Sequence, residues 1–447
     1  MSLDKKIDSL RKALSIDSSE SSGTGEYAQF LTKLAEENGF SCSTLSYTLK
    51  DVDFHNVFIG YGVGIKDDAE LDYLFVNPLD TENPGPFRAW SEMAEDPFDS
   101  MVKGSRLYGL GANSGKLSSL LQLRALLRVD ETQKQKVGIL GTYGRTLRSY
   151  GVIKFLRECQ LKVKNIVVGF PTQNQIVSTQ AGRLRMRISL PFSESEKEMR
   201  QKHDELENSS SQSQYFNSKP REALSDGSWQ RNTIVQSFEF LNNLPEQIVI
   251  LDLEGGKDTS SEPRSTLLEF DLANDILDPM SVKLRTLYSY LADLNQEFEK
   301  ATNKDFEPSS PQINFGRVKC DYDQIEIYGE CVFPPGINSE VSDQWIGKLR
   351  GDIQNLGGDS KILSQRFPYL FEGDSDFLQK ALEICDTKEA KSLAYTTEAD
   401  LFKLAGYNPL VFGPGRFESL FLPNESVELE ELDRAEEFYL SLMTSKK

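Results

Sequence analysis

Met101-Val-Lys-Gly-Ser-Arg-Leu-Tyr-Gly-Leu-Gly-Ala-Asn-Ser-Gly-Lys-Leu-Ser-Ser-Leu120 is the run on which the reading of this chain turns. Four glycines, Gly104, Gly109, Gly111 and Gly115, crowd it, and an apolar helical run from Leu117 to Leu127 follows. Glycines placed just ahead of a helix let backbone approach backbone, or a ligand, at the helix mouth. Upstream stands Asp72-Tyr-Leu-Phe-Val-Asn-Pro-Leu-Asp-Thr81, with Trp90 and Asp96-Pro-Phe98 in between. Downstream stand Gly169-Phe-Pro-Thr172 and Gly413-Pro-Gly415.

Around that run, strands alternate with helices. Phe40 to Leu49, Val57 to Gly62, Leu71 to Val76, Lys136 to Gly141 and Lys164 to Gly169 read as strands. Glu26 to Asn38, Leu117 to Arg128 and Tyr150 to Gln160 read as helices. The alternation predicts an α/β layer on a central, mostly parallel sheet. From Gly182 the pattern changes. Gly182 to Leu190 alternates polar and apolar residues, and strand pairs around Gly255-Gly256 and before Pro334-Pro335 alternate with long amphipathic helices. This predicts an inserted α+β lid over 182–358, between two parts of the α/β domain at 1–181 and 359–447. Gly255-Gly256 is expected to be a lid turn.

At 447 residues the chain is long enough for two domains with a sizeable core. A net charge of −19 argues against nucleic-acid binding, which wants a basic face. The five cysteines are scattered without a C-x-x-C pair and read as reduced thiols, which with no signal peptide and no membrane-length apolar run points to the cytoplasm. The two histidines, His55 and His203, make a poor zinc pair.

In order and spacing, the glycine run, Asn77 to Thr81, Gly169 to Thr172 and Gly413 to Gly415 together resemble the co-catalytic zinc aminoacylase and carboxypeptidase family, to which acetylornithine deacetylase and succinyl-diaminopimelate desuccinylase belong. The resemblance covers nearly the whole chain. It implies a peptidase-like α/β domain interrupted by a lid that often pairs in a dimer, two zinc ions, and hydrolysis of an amide bond. The family's zinc-binding residues are what this chain lacks. Pro78 stands where the first metal histidine belongs, before the retained Asp80, which in the family orients that histidine. Ser114 falls at the bridging aspartate, Phe170 at a further acidic ligand and Phe421 at the last histidine. In place of the family's paired glutamates the turn after Gly141 carries Arg145 and Arg148, and no Asp or Glu occurs between Glu131 and Glu158. Asn217 is the nearest match to the lid histidine.

A proline, a hydroxyl and two rings are a poor donor set for zinc. Removing the acids along with the metal is electrically coherent, because a buried carboxylate cluster without cations is unfavourable. The expectation is therefore a catalytically inactive relative without a metal cofactor, acting as a binding or assembly protein and dimeric through the lid. The alternative is a repurposed or residual hydrolase working on the amide bond of a small N-acyl amino acid or peptide, with Lys116, Tyr143, Asp80 or Glu398 in play. Lys116, Arg145, Arg148 and Arg416 would suit a small anionic ligand if they converge, and are otherwise solvated surface. Thr397-Glu398-Ala399 resembles a cleft-lining motif of acetylornithine deacetylases, or else Thr397 caps a helix. Arg183, Arg185 and Arg187 share one strand face, either lining an anion site or paired with acids.

Overall fold

A computed structural model describes residues 3–144, 149–205, 211–218, 231–260, 262–306, 308–337, 339–372 and 375–444. The chain forms two compact units. Met1–Thr179, Leu370–Ser392 and Thr397–Lys447 make the first, and Gln180–Tyr369 with Leu393–Thr396 the second.

The first unit begins with α1 (Leu3–Ser15) and α2 (Gly25–Glu36), then β1 (Ser41–Leu49), β2 (Val52–Gly60) and β3 (Glu70–Pro78). A short hairpin, β4 (Met101–Lys103) and β5 (Arg106–Tyr108), leads into α3 (Gly115–Leu127). There follow α4 (Glu131–Lys134), β6 (Val137–Thr142), α5 (Tyr150–Glu158), β7 (Lys162–Gly169) and β8 (Val177–Gln180). The second unit holds β9 (Gly182–Pro191), α6 (Glu194–Glu205), β10 (Gln212–Asn217), α7 (Thr233–Leu241), β11 (Ile248–Gly256) and β12 (Ser265–Leu272). It continues through α8 (Met280–Lys300), β13 (Gln312–Cys320), β14 (Gln324–Phe333), α9 (Ser339–Asn355) and β15 (Asp359–Arg366). After β16 (Tyr369–Leu370) come α10 (Asp376–Ile384), β17 (Lys391–Leu393), α11 (Ala399–Leu404), β18 (Pro409–Phe412), β19 (Ser426–Glu428) and α12 (Leu429–Thr444).

The large sheet runs β1-β2-β6-β3-β7-β18-β8-β16, with β17 also beside β8. Its centre, β6-β3-β7-β18, is parallel, whereas β1, β2 and β8 add antiparallel. The expected mostly parallel sheet is thus a mixed one around a parallel core. Tyr73 to Pro78 are all buried and only Glu70 and Asp72, at the strand start, see solvent, the burial of a strand covered on both faces. Helix α3 is buried on nearly every side, which explains its continuous apolar run. Its polar residues are satisfied inside: the Asn77 and Gln122 side-chain amides bond reciprocally at 2.6 and 3.2 Å.

The second unit is built on the sheet β10-β12-β11-β13-β14-β9-β15, its apolar face closed by α7, α8 and α9. Two expectations change here. The chain returns to the first unit at Leu370 rather than 359, because Asp359–Arg366 pairs antiparallel with β9 as an edge strand. Gly255-Gly256 is not a turn but the end of β11, where both residues pair with β13. Gly256 has φ +73°, and a Cβ there would lie 1.9 Å from the Gly316 carbonyl oxygen. Gly256→Ala should therefore loosen this sheet by about 2 kcal/mol, read as roughly tenfold or faster amide hydrogen exchange in β11 and β13.

Candidate functional site

The parallel strands β3, β6, β7 and β18 end together, and open α/β sheets place their sites beyond such carboxyl ends. Pro78 closes β3 and pairs in register with Thr142 at the end of β6. The first turn of α3 rides on it: a Cβ on Gly115 would come 2.7 Å from the Pro78 oxygen. Ser114 is the N-cap of that helix. Its Oγ donates to the Gly111 carbonyl at 2.8 Å and accepts from the Lys116 N–H at 3.3 Å. Extended backbone at the cap and a hydroxyl over the first turn are how a serine satisfies the open amides of a helix start.

Phe170 follows β7 and is buried, its ring 5.8 Å from that of Phe417. Gly413 lies so close to it that a Cβ would meet the Phe170 oxygen at 2.6 Å. Phe421 goes elsewhere. It packs against the cluster of Trp90, Met93 and Leu110, in a left-handed backbone conformation with φ 61°. The two rings thus belong to separate apolar groupings.

Sequence reasoning passed over the group that fixes this region. Glu425 is fully buried, and its carboxylate accepts from three backbone amides: Asn113 at 2.6 Å, Gly111 at 3.0 Å and Phe421 at 3.2 Å. Its own carbonyl accepts from Gly109 at 3.1 Å. The glycine-rich loop therefore wraps an internal anion, contributed from the far end of the sequence. Asn113 extends the clasp, accepting from the Arg416 N–H at 3.2 Å and donating to Ser419 Oγ at 2.9 Å. The Pro423-Asn424-Glu425 motif was the available signal, but it does not show that the acid faces the glycine loop.

Of the expected ligand contacts, Lys116 and Arg416 are described, and they do not share a pocket. Lys116 is buried, not cleft-lining: its amine donates to the Ile16 carbonyl at 2.8 Å and sits 4.9 Å over the Tyr27 ring. Burial pushes its pKa down to about 7, partly offset by Asp17, Glu425 and Glu26. Tyr143 is also buried, stacked on Tyr47 at 6.0 Å, and desolvation raises its hydroxyl to about 12. Glu398 is buried beside β6 and accepts from Thr142 Oγ1 at 2.7 Å, while the Thr397 hydroxyl accepts from the Ala399 N–H at 3.2 Å. The N-cap of α11 is Glu398, so Thr397 stands one residue ahead of the cap position. Asp80 is buried on the loop after β3, whose next residue, Thr81, donates its N–H to Ser18. Arg416 is exposed and lines an open pocket of about 470 Å³ with Arg106, Gln173 and Glu431. Arg145 and Arg148 lie outside the described residues. Asn217 ends β10 and pairs with Ser265. Of the two histidines, His55 Nδ1 is 2.8 Å from Ser46 Oγ, and His203 faces Asp271 at 3.6 Å. Among the described residues no three His, Cys, Asp or Glu side chains are grouped to hold a metal ion, and no helix is long and apolar enough to cross a membrane.

Two stability measurements follow from this geometry. Glu425→Gln puts an amide where three N–H groups point and should cost about 3 kcal/mol, seen as a lower urea midpoint. For Lys116 the unfolded chain keeps its proton up to the ordinary value of 10.5, while the folded one sheds it near 7. Between those values the unfolded state binds more protons, so stability rises with pH. Relative to Lys116→Met, the wild-type chain should gain about 2 kcal/mol from pH 7 to 9, measured by denaturant unfolding at each pH.

Comparison with known proteins agrees with this architecture. The model of Peptidase family M20/M25/M40 matches residues 79–445. A succinyl-diaminopimelate desuccinylase of Anaplasma marginale (strain Florida) is 33% identical over 101 residues, 23% of this chain and 24% of that protein. The chain therefore matches about a quarter of that relative's length. The aminoacylhistidine dipeptidase of Vibrio alginolyticus shares the fold with a TM-score of 0.60 at 13% identity, covering 98% of this chain and 96% of that one. The M20 family metallo-carboxypeptidase Sso-CP2 of Sulfolobus solfataricus does so at 0.59 and 13%, covering 99% of each. With the family model matched from the end of β3 to the end of α12, the chain belongs to peptidase family M20/M25/M40.

Proposed function

We propose that this chain keeps the fold of peptidase family M20/M25/M40 without its hydrolysis and works as a binding or assembly protein. The observation that carries the reading is the state of Ser114. At the position where the family resemblance expects a metal-bridging carboxylate, a neutral hydroxyl is committed to capping α3. The other positions support it. Pro78 offers no side-chain donor, and Phe170 and Phe421 offer rings packed in apolar surroundings. Zinc takes thiolate, imidazole and carboxylate ligands, so these residues do not fit a dinuclear zinc centre. A Lys116 amine turned into the core and a Tyr143 hydroxyl raised by burial also offer little to a metal-free hydrolysis. Arg416 and its pocket remain for a small anionic ligand, and the lid sheet for pairing with a second copy.

Elemental analysis of the purified chain, with and without added Zn²⁺, should find zinc well below one equivalent. Assays on N-acyl amino acids and dipeptides should stay at the buffer rate. Two equivalents of zinc with zinc-dependent amide hydrolysis would overturn the reading in favour of a working hydrolase.

A further inference from the structure

Over β9, β13, β14 and β15 the second unit's sheet has one apolar face and one charged face, and on the charged face the two signs are unevenly shared. Along β9, Leu184, Met186, Ile188 and Leu190 enter the core, so the alternate residues point away from it. The strand registers fix their neighbours. Arg183 faces Arg366 on β15, and Arg187 faces Lys361. On the other side Arg185 faces Glu330 and Arg187 faces Tyr328, which in turn faces Arg317 on β13, while Lys319 faces Glu326. Across these strands seven cations meet three carboxylates, Glu326, Glu330 and Asp359, on a chain whose net charge is −19.

The arrangement is costly. Like charges directly opposite each other on neighbouring strands are destabilising, and Arg187 and Lys361 form such a pair. Glu330, nearly buried, holds both Arg183 and Arg185, at 2.5 and 2.8 Å, and Arg187 meets Glu326 at 3.0 Å. Glu326 and Glu330 are thereby used. Arg183 is further enclosed by the Ala394 carbonyl and the Tyr395 ring. Arg317, Lys319 and Lys361 are exposed, and the Arg185 side chain is 44% exposed.

We propose that this face is a docking surface for an acidic polypeptide segment of another protein, its carboxylates held by Arg185, Arg187, Arg317, Lys319 and Lys361. Guanidinium forks suit carboxylates, and an acidic segment removes the like-charge cost that β9 and β15 carry. A nucleic acid fits less well. Carboxylates are interleaved with the cations, and single-strand binding calls for a series of stacking rings, where the outward positions of β9, β13, β14 and β15 offer Tyr328. The inference names the partner class for the binding role proposed above and rests on that role. Its test reads binding alone, so zinc-dependent hydrolysis would remove the earlier reading without deciding this one.

The test is an anisotropy titration of the full chain with a fluorescein-labelled oligoglutamate peptide at low salt. Binding should weaken steeply with added salt. The Arg317→Glu/Lys361→Glu pair should weaken it about tenfold or more, and the milder Lys319→Ala/Lys361→Ala pair roughly threefold. Lys162→Glu, an exposed cation of the first unit, should leave it unchanged. Unfolding midpoints of each variant establish that the sheet is intact. No binding by the wild-type chain overturns the proposal, as does equal binding by the folded double variants. Tighter binding of a single-stranded oligonucleotide than of oligoglutamate also overturns it. So does salt-sensitive self-association that Lys361→Glu abolishes without any capture of the peptide, which would assign the face to a second copy.

Discussion

The first unit depends on a carboxylate turned inward. Glu425 comes from the segment after β18, yet it satisfies amides on the loop that opens α3 and on its own turn at Phe421. A buried charge is tolerable when several N–H dipoles point at it, and the first turn of a helix close by adds a favourable field. Because the three donors sit on two distant segments, one side chain holds together the glycine loop, the Gly413-Pro-Gly415 turn through Asn113, and the apolar cluster around Trp90. The glycines upstream of α3 have φ of 158° and 90° at Gly109 and Gly111, and this lets the loop curl around an acid rather than around a ligand.

Pro78, Ser114 and Phe170, at the strand ends beside that clasp, have one property in common. Carboxylates crowded at the mouth of a parallel sheet need cations to offset their repulsion. The side chains here need none: a proline under the start of α3, a serine that caps it, and a phenylalanine packed at a tilt against another. Each is held by its neighbours through packing or a short-range hydrogen bond. Glu398 keeps a hydroxyl partner in Thr142 at the same end of the sheet.

Much of this was readable from the residues. The period of the apolar positions located α3, β3, β6 and β7, because burial on both faces leaves an unbroken apolar run. The missed pieces have physical reasons. β15 and β10 are edge strands rich in polar residues, so alternation is blurred where both faces are wet. Gly255-Gly256 looked like a turn because glycine pairs usually are, whereas here the missing side chains let β11 pass against Gly316. Lys116 looked like a surface cation beside a glycine loop. Its place in helix α3, buried all round, decides otherwise, and only the packing of Tyr27 and Ile16 over it shows where the amine goes. The three arginines of β9 were open between an anion site and ion pairing, and each meets Glu330 or Glu326, which strand alternation alone does not reveal.

The order of segments has a consequence for biosynthesis. β7 leaves the ribosome early, but its parallel neighbour β18 follows only after the whole second unit has been made. Helix α12, whose Phe438 and Tyr439 rings close over Phe412, comes later still. For most of translation, then, the nascent first unit exposes an unpaired strand edge and an open apolar face, a state that invites association with other chains.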